Sequence, residues 1–93
     1  PKDFTLHQNY PNPFNPTTTI KYDISEQIQV KISIYDMMGH EVKSITNEFQ
    51  RPGVHSVIWD ARNNEGKPVS AGLYLYQVSA GNFQKFKKMV LLK

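Results

Sequence analysis

The chain has 93 residues, the length of one domain, and at that size a single core buries roughly 60–65% of the surface the unfolded chain exposes. It carries no cysteine, which excludes a disulfide framework and a thiolate metal centre. Eleven Lys and Arg against eight Asp and Glu give a net charge of +3, scattered rather than gathered into the basic, aromatic-interleaved stripe that nucleic-acid binding requires.

Pro1 stands where an initiator methionine would, which reads as a fragment or a processed product. No stretch resembles a signal peptide or a membrane span. Residues 1–16 have no hydrophobic periodicity, and they contain N-Y-P-N-P-F-N-P: Asn9, Tyr10, Pro11, Asn12, Pro13, Phe14, Asn15 and Pro16. Proline fixes φ, removes a donor and pushes the preceding residue towards an extended conformation. Asn12 and Asn15 are therefore expected to be extended, with side chains free to hydrogen-bond nearby backbone. The spacing predicts a stiff hook, packed on the domain, whose Tyr10 and Phe14, with Phe4 and Leu6 upstream, cover one open end. Residues 17–93 then form the domain proper.

Strand signals follow at close spacing. "TTIKYDI" sets Ile20, Tyr22 and Ile24 on one face, and "IQVKISIYD" sets Ile28, Val30, Ile32 and Ile34 against Gln29, Lys31 and Ser33. "DMMG" reads as a turn with Gly39 at positive φ, followed by a short polar return strand, "HEVKSI". After the turn "RPG", "VHSVIWD" places Val57 and Trp59 opposite Val54, Ser56 and Ile58. "ARNNEGKPVSAG" is a polar loop. "LYLYQVS" aligns Tyr74, Tyr76 and Val78, "AGN" is a tight hairpin, and "FQKFKKMVLLK" is a last strand edged with lysine. Six or seven short strands and no helical periodicity predict an all-β antiparallel sandwich. Its expected core is Ile20, Tyr22, Val30, Ile32, Ile34, Val42, Trp59, Tyr74, Tyr76, Met89 and Leu91.

No chemistry converges. His7, His40 and His55 lie in separate segments without metal-ligand spacing, and no serine sits in a nucleophile elbow. "DARNNEG" mimics a calcium loop, but Arg62 occupies the position of a ligand. The expectation is a protein that is not an enzyme, with no cofactor and no metal. Trp59, Tyr74 and Tyr76 would make a carbohydrate platform if exposed, but their alternation with aliphatic residues points to the core.

The order "LHQNYPNPFNPTTTIKYDI", "VKISIYDMMGHEV", "PGVHSVIWDARNNEGKPVSAGLYLYQV" and "KKMVLLK" resembles the type A C-terminal sorting domain of the type IX (Por) secretion system. The likeness runs from about Leu6 to Lys93. It covers the N-Y-P-N-P-F-N-P hook, I-Y-D-x-x-G at Ile34, Tyr35, Asp36 and Gly39, and W-D at Trp59 and Asp60. It continues with the strand at Gly72, Tyr74 and Tyr76, and with the end at Lys87, Lys88, Met89, Leu91, Leu92 and Lys93. Ser25 stands where the family commonly has proline, and Ala61 where it commonly has glycine. The resemblance implies a seven-stranded Ig-like, fibronectin-like sandwich acting as an address. The cargo domain precedes it in the same chain and passes through the periplasm. The outer-membrane translocon then recognises the folded domain, a sortase-like peptidase acts on it in well-studied systems, and the product is extracellular or bound to the cell surface. Within that reading the last strand offers an edge for strand addition, and Lys85, Lys87 and Lys88 steer it towards an acidic partner.

Two other classes fit the same fold. One is a non-catalytic Ig-like accessory module of a multidomain secreted enzyme, binding carbohydrate or acting as a spacer. The other is a structural assembly module like the Ig-like domain of flagellar hook-capping proteins, which would self-associate through an open strand edge.

Overall fold

The computed structural model describes residues 3–92. It is all-β, with seven strands: β1 (Thr5–Leu6), β2 (Thr18–Ile24), β3 (Ile28–Asp36), β4 (Glu41–Gln50), β5 (Gly53–Trp59), β6 (Gly72–Ala80) and β7 (Phe83–Leu91). They form two antiparallel sheets, ordered β1-β2-β5 and β4-β3-β6-β7, packed face to face as an Ig-like sandwich. No helix long and apolar enough to cross a membrane occurs among the described residues.

Alternation decides which side of each strand is inside. Ile20, Tyr22 and Ile24 of β2, Val30, Ile32 and Ile34 of β3, Tyr74, Tyr76, Val78 and Ala80 of β6, and Met89 and Leu91 of β7 are all buried. Trp59 closes the core at the end of β5, where Phe14 meets it at a ring-centroid distance of 5.9 Å and Tyr74 meets it edge-on at 5.4 Å. On β5 the alternation is as expected: Trp59 is buried while Val54 and Ile58 face water.

Three expectations change. Residues 5 and 6, unassigned from periodicity, pair with Asp23 and Tyr22 as the short strand β1. The return strand after the "DMMG" turn is ten residues long rather than short. Val42 is only partly buried, because β4 carries extra residues at two places. Ile32 faces Thr46 while Ser33 faces Ser44, and Ile34 faces Lys43 while Tyr35 faces Glu41. Ile45 and Val42 are the unpaired residues of these two bulges, which turn the strand and shift Val42 from the core register.

The turns follow their residues. Asp36 Oδ1 accepts from the N–H groups of Met38 and His40, both at 2.9 Å, and Gly39 takes φ +88°. These backbone donors, His40 first, hold the Asp36 carboxyl below its ordinary pKa. In the loop after β5, Asn63 Oδ1 accepts from Glu65 N and Lys67 N at 3.0 Å, and Asn64 Oδ1 accepts from Ser44 N at 3.0 Å. Two side-chain oxygens of this loop, on Asn63 and Asn64, are thus occupied by backbone donors, while the exposed Asp60 carboxylate lies 3.9 Å from Arg62 Nε. Ala61, buried at the start of this loop, has φ +62°, a conformation that costs a non-glycine residue about 1–2 kcal/mol and that glycine adopts without that cost.

Ile32 is fully buried and Leu73 is 46% exposed. Ile32→Ala is therefore expected to lower stability by about 2–5 kcal/mol, and Leu73→Ala to change it by no more than about 0.5 kcal/mol. Urea denaturation of the two variants measures the contrast.

Candidate functional site

The two motifs that stand furthest apart in sequence meet along β7. Tyr76 reaches the hook from β6: its hydroxyl accepts from Asn9 N and donates to His7 O, both at 2.8 Å. Asn9 is 2% exposed, and its Nδ2 donates to Thr18 Oγ1 at 3.0 Å and to Pro11 O at 3.2 Å. Thr18 Oγ1 in turn donates to Pro11 O at 2.8 Å. Tyr10 and Thr19 exchange two backbone hydrogen bonds of 3.0 Å. The peptide bonds preceding Pro11, Pro13 and Pro16 are cis.

The hook then runs beside β7. Val90 N donates to Asn12 Oδ1 at 2.9 Å, Phe14 N donates to Val90 O at 3.0 Å, and Leu92 N donates to Phe14 O at 2.8 Å. Phe14 and Leu91 form a parallel bridge. Upstream, Gln8 Nε2 donates to Lys88 O at 2.8 Å. From Lys88 to Leu92 the outer edge of β7 is occupied by the chain's own hook.

This geometry sorts the sequence candidates. Asn9, Phe14, Tyr74, Tyr76, Met89 and Leu91 are buried, whereas Tyr10, Pro11, Asn12, Pro13, Asn15, Pro16, Lys88 and Leu92 are exposed. Tyr10, expected to cover the end of the sandwich beside Phe14, is instead 80% exposed. Its backbone pairs with Thr19, whose outward face turns the ring to solvent. Tyr74 forms a tyrosine corner, its hydroxyl donating to Ser70 O at 2.5 Å. Gly72 opens β6 with φ +144°, a backbone region that favours glycine. Lys93 lies outside the described residues.

The terminal lysines do not form one cluster. Alternation along β7 sets Lys85 and Lys87 on the side of Met89 and Leu91, and Lys88 on the other. Lys85 Nζ donates to Phe4 O at 2.6 Å, lies 3.3 Å from Asp3 Oδ2 and sits 5.3 Å from the centre of the Phe4 ring. It is a tie for the N-terminal segment, and the expected three-lysine steering patch does not assemble. The expected free edge at the end of β7 is likewise limited to its first half. Sequence reasoning passed over Gln8 and Thr18. Gln8 carries no local signal, while Thr18, next to the hook, could have been suspected as a partner for Asn9.

No group of three or more His, Cys, Asp or Glu able to hold a metal gathers among the described residues. His7 lies 3.3 Å from Asp23 Oδ2, His40 3.4 Å from Asp36 Oδ2, and His55 Nε2 2.7 Å from Arg51 O, at three separate places. An open cleft of about 540 Å³ beside Asn15, Pro16 and Ala61 holds one carboxylate, Asp60, 3.9 Å from Arg62 Nε. These groups offer structural hydrogen bonds and surface ion pairs, not a nucleophile beside a base.

The fold and its tyrosine corner define an Ig-like sandwich closed by a proline-rich hook. A family model, the FlgD Ig-like domain, matches residues 13–83. The chain belongs to the FlgD Ig-like domain family. Among solved structures, latent dimeric PorU of Porphyromonas gingivalis superposes with a TM-score of 0.77 at 22% identity, over 96% of this chain and 9% of that one. PorZ, described as an essential surface component of the type IX secretion system of the same bacterium, gives 0.66 at 22% identity, over 95% and 11%. FlgD of Xanthomonas campestris, described in connection with hook capping in flagellar assembly, gives 0.65 at 17% identity, over 94% and 64%. At these identities the likeness is one of fold, and this chain spans only about a tenth of PorU and PorZ. A search of curated proteins finds no match.

Burial pushes the Tyr76 hydroxyl pKa up to about 12, against the opposing pull of the Asn9 N–H. The folded pKa lies above the unfolded value of about 10. The stability that depends on the neutral hydroxyl is therefore complete below pH ~10 and lost as pH rises towards ~12. Tyr76→Phe strands the Asn9 N–H and the His7 carbonyl, and is expected to cost about 1–3 kcal/mol at neutral pH. It should also flatten the alkaline loss, leaving the part due to Tyr22 and Tyr74, whose burial also raises their pKa values. Urea titrations at stepped pH compare the two slopes.

Proposed function

We propose that this domain is the C-terminal sorting signal of a protein exported through the type IX secretion system. The observation that carries the reading is the meeting of the two motifs. The hook and the terminal strand, some eighty residues apart in sequence, join along one edge through Phe14, Asn12 and Gln8. A receptor reading that edge reads both ends of the domain at once and only when it is folded. The likeness in fold to PorU, closer than that to the FlgD structure, supports this reading.

Within it, the motif residues have two roles. Asn9, Phe14, Gly72, Tyr74, Tyr76, Met89 and Leu91 build the edge. Tyr10, Pro11, Asn12, Pro13, Asn15, Pro16, Lys88 and Leu92, all exposed, are offered to the outer-membrane translocon and to a sortase-like peptidase, and the motif also includes the half-buried Lys87 and, outside the described residues, Lys93. The domain is non-catalytic, follows its cargo in the chain, crosses the periplasm, and ends outside the cell or on its surface. The boundary between the hook, residues 1–16, and the sandwich, residues 17–93, belongs to the same proposal. The carbohydrate-module alternative loses its platform, because Trp59, Tyr74 and Tyr76 are 1%, 6% and 0% exposed. The assembly-module reading is favoured by the family match and by the share of FlgD that the chain covers.

The test fuses the chain to the C-terminus of a fluorescent protein carrying a signal peptide, in a type IX-competent strain. Fluorescence is expected outside the cell. The exposed pair Lys88→Glu and Leu92→Asp should hold the folded fusion in the periplasm, and Leu91→Asp should unfold the domain and block export. Periplasmic retention of the intact, folded fusion would overturn the reading.

A further inference from the structure

Each sheet of an open sandwich has two edge strands, and three of the four edges here are defended against pairing with other strands. β7 is covered by the hook from Lys88 to Leu92 and carries Lys85 and Lys87 on its inner side. β4 has two bulges, and the Asn64 side chain and backbone bond to Ser44 and Val42. β1 is two residues long. Lysines, bulges, covering loops and short strands are the devices that keep sheet edges from associating.

β5 has none of them. Gly53–Trp59 contains no proline, lysine or other full charge, and it pairs with β2 in unbroken register over seven residues. Thr19 and Lys21 direct their backbone groups to Tyr10 and His7, away from β5. The alternation of antiparallel ladders then sends the groups of Ile20 and Tyr22 to Val57 and His55. The N–H and C=O of Val54, Ser56 and Ile58 therefore point outwards, with no partner on that side among the described residues. Val54 and Ile58 are 67% and 66% exposed.

We infer that this edge pairs with the same edge of a second copy of the chain, antiparallel and centred on Ser56. The sequence is self-complementary about that residue. Val54 of each copy faces Ile58 of the other, two β-branched pairs on one face of the joined sheet, with Ser56 opposite Ser56 between them. Cross-strand pairs of this kind are favourable. Arg51 precedes the strand and Asp60 follows it, so antiparallel pairing brings opposite charges together at both ends. A parallel arrangement would set Arg51 beside Arg51. The product is one six-stranded sheet, β1-β2-β5 joined to β5-β2-β1. The inference uses an edge that the sorting reading does not, and a dimer through it is the behaviour that an assembly module would also show.

Sedimentation equilibrium of the whole chain from micromolar to millimolar concentration tests it. The mass is expected to rise from 10.7 kDa towards twice that value. Val54→Lys with Ile58→Lys places lysines against lysines across the interface, and the lysine replacing Val54 would lie beside Asp23 within its own copy. That double variant should remain monomeric with an unchanged circular-dichroism melting curve. Directly opposed residues in such a ladder have Cα atoms about 5.5 Å apart, within reach of a disulfide. In this cysteine-free chain S56C should cross-link under mild oxidation, and N82C, at the distant β6–β7 turn, should not. A dimer unaffected by the lysine variant, or cross-linking equal at both cysteine positions, would overturn the inference. So would a monomer at every concentration, which would leave the edge to an extended strand from another protein.

Discussion

The Tyr76 hydroxyl accepts from Asn9 and donates to His7 in a space closed to water, and the placing of the whole hook follows from it. With residues 7 and 9 fixed, Tyr10 falls opposite Thr19, Asn12 opposite Val90, and Phe14 into the gap beside Trp59. Each such hydrogen bond contributes on the order of 1 kcal/mol net, and burial of a Phe side chain about 1.5–3 kcal/mol. Ordering a residue costs about 1–2 kcal/mol of backbone entropy, so a flexible segment of this length would barely hold. The three prolines change that balance, because they restrict the unfolded chain before anything is ordered.

The consequence for the motifs is that most of their buried members act on structure. Tyr74 ties the loop after Trp59 to the start of β6, Tyr76 ties the hook, and Met89 and Leu91 fill the core from the edge strand. A deletion of the terminal residues would therefore damage the fold and any recognition together. Only the exposed members, among them Tyr10, Lys88 and Leu92, separate the two.

The sandwich was legible in the sequence because alternation is a local signal, and β2, β3 and β6 each carry it over five or more residues. The turn at Asp36–Gly39 was legible for the same reason, since its residue types demand it. β1 escaped because two residues have no period. Val42 was misplaced because a bulge leaves no mark in a single strand and appears only when its partner's register is known. Tyr10 was misplaced by reasoning from residue type in a segment where hydrogen bonds, not hydrophobicity, set the direction of each side chain. The lysines at 85, 87 and 88 read as a cluster along the chain but alternate across a strand, and Lys85 is spent on Phe4 and Asp3. The contacts that bind hook to β7 span some eighty positions, and no local pattern encodes them.

The bridge between Phe14 and Leu91 runs parallel, and this gives the domain a mechanical character. When its two ends are drawn apart, the segment through Phe14 and the strand through Leu91 slide against each other in opposite directions. The bonds of Val90 to Asn12 and Phe14, and of Leu92 to Phe14, then bear the load together in shear. A pair of strands peeled from one end would lose its bonds singly. The hook is thus a clamp, strongest along the line joining the two ends of the chain.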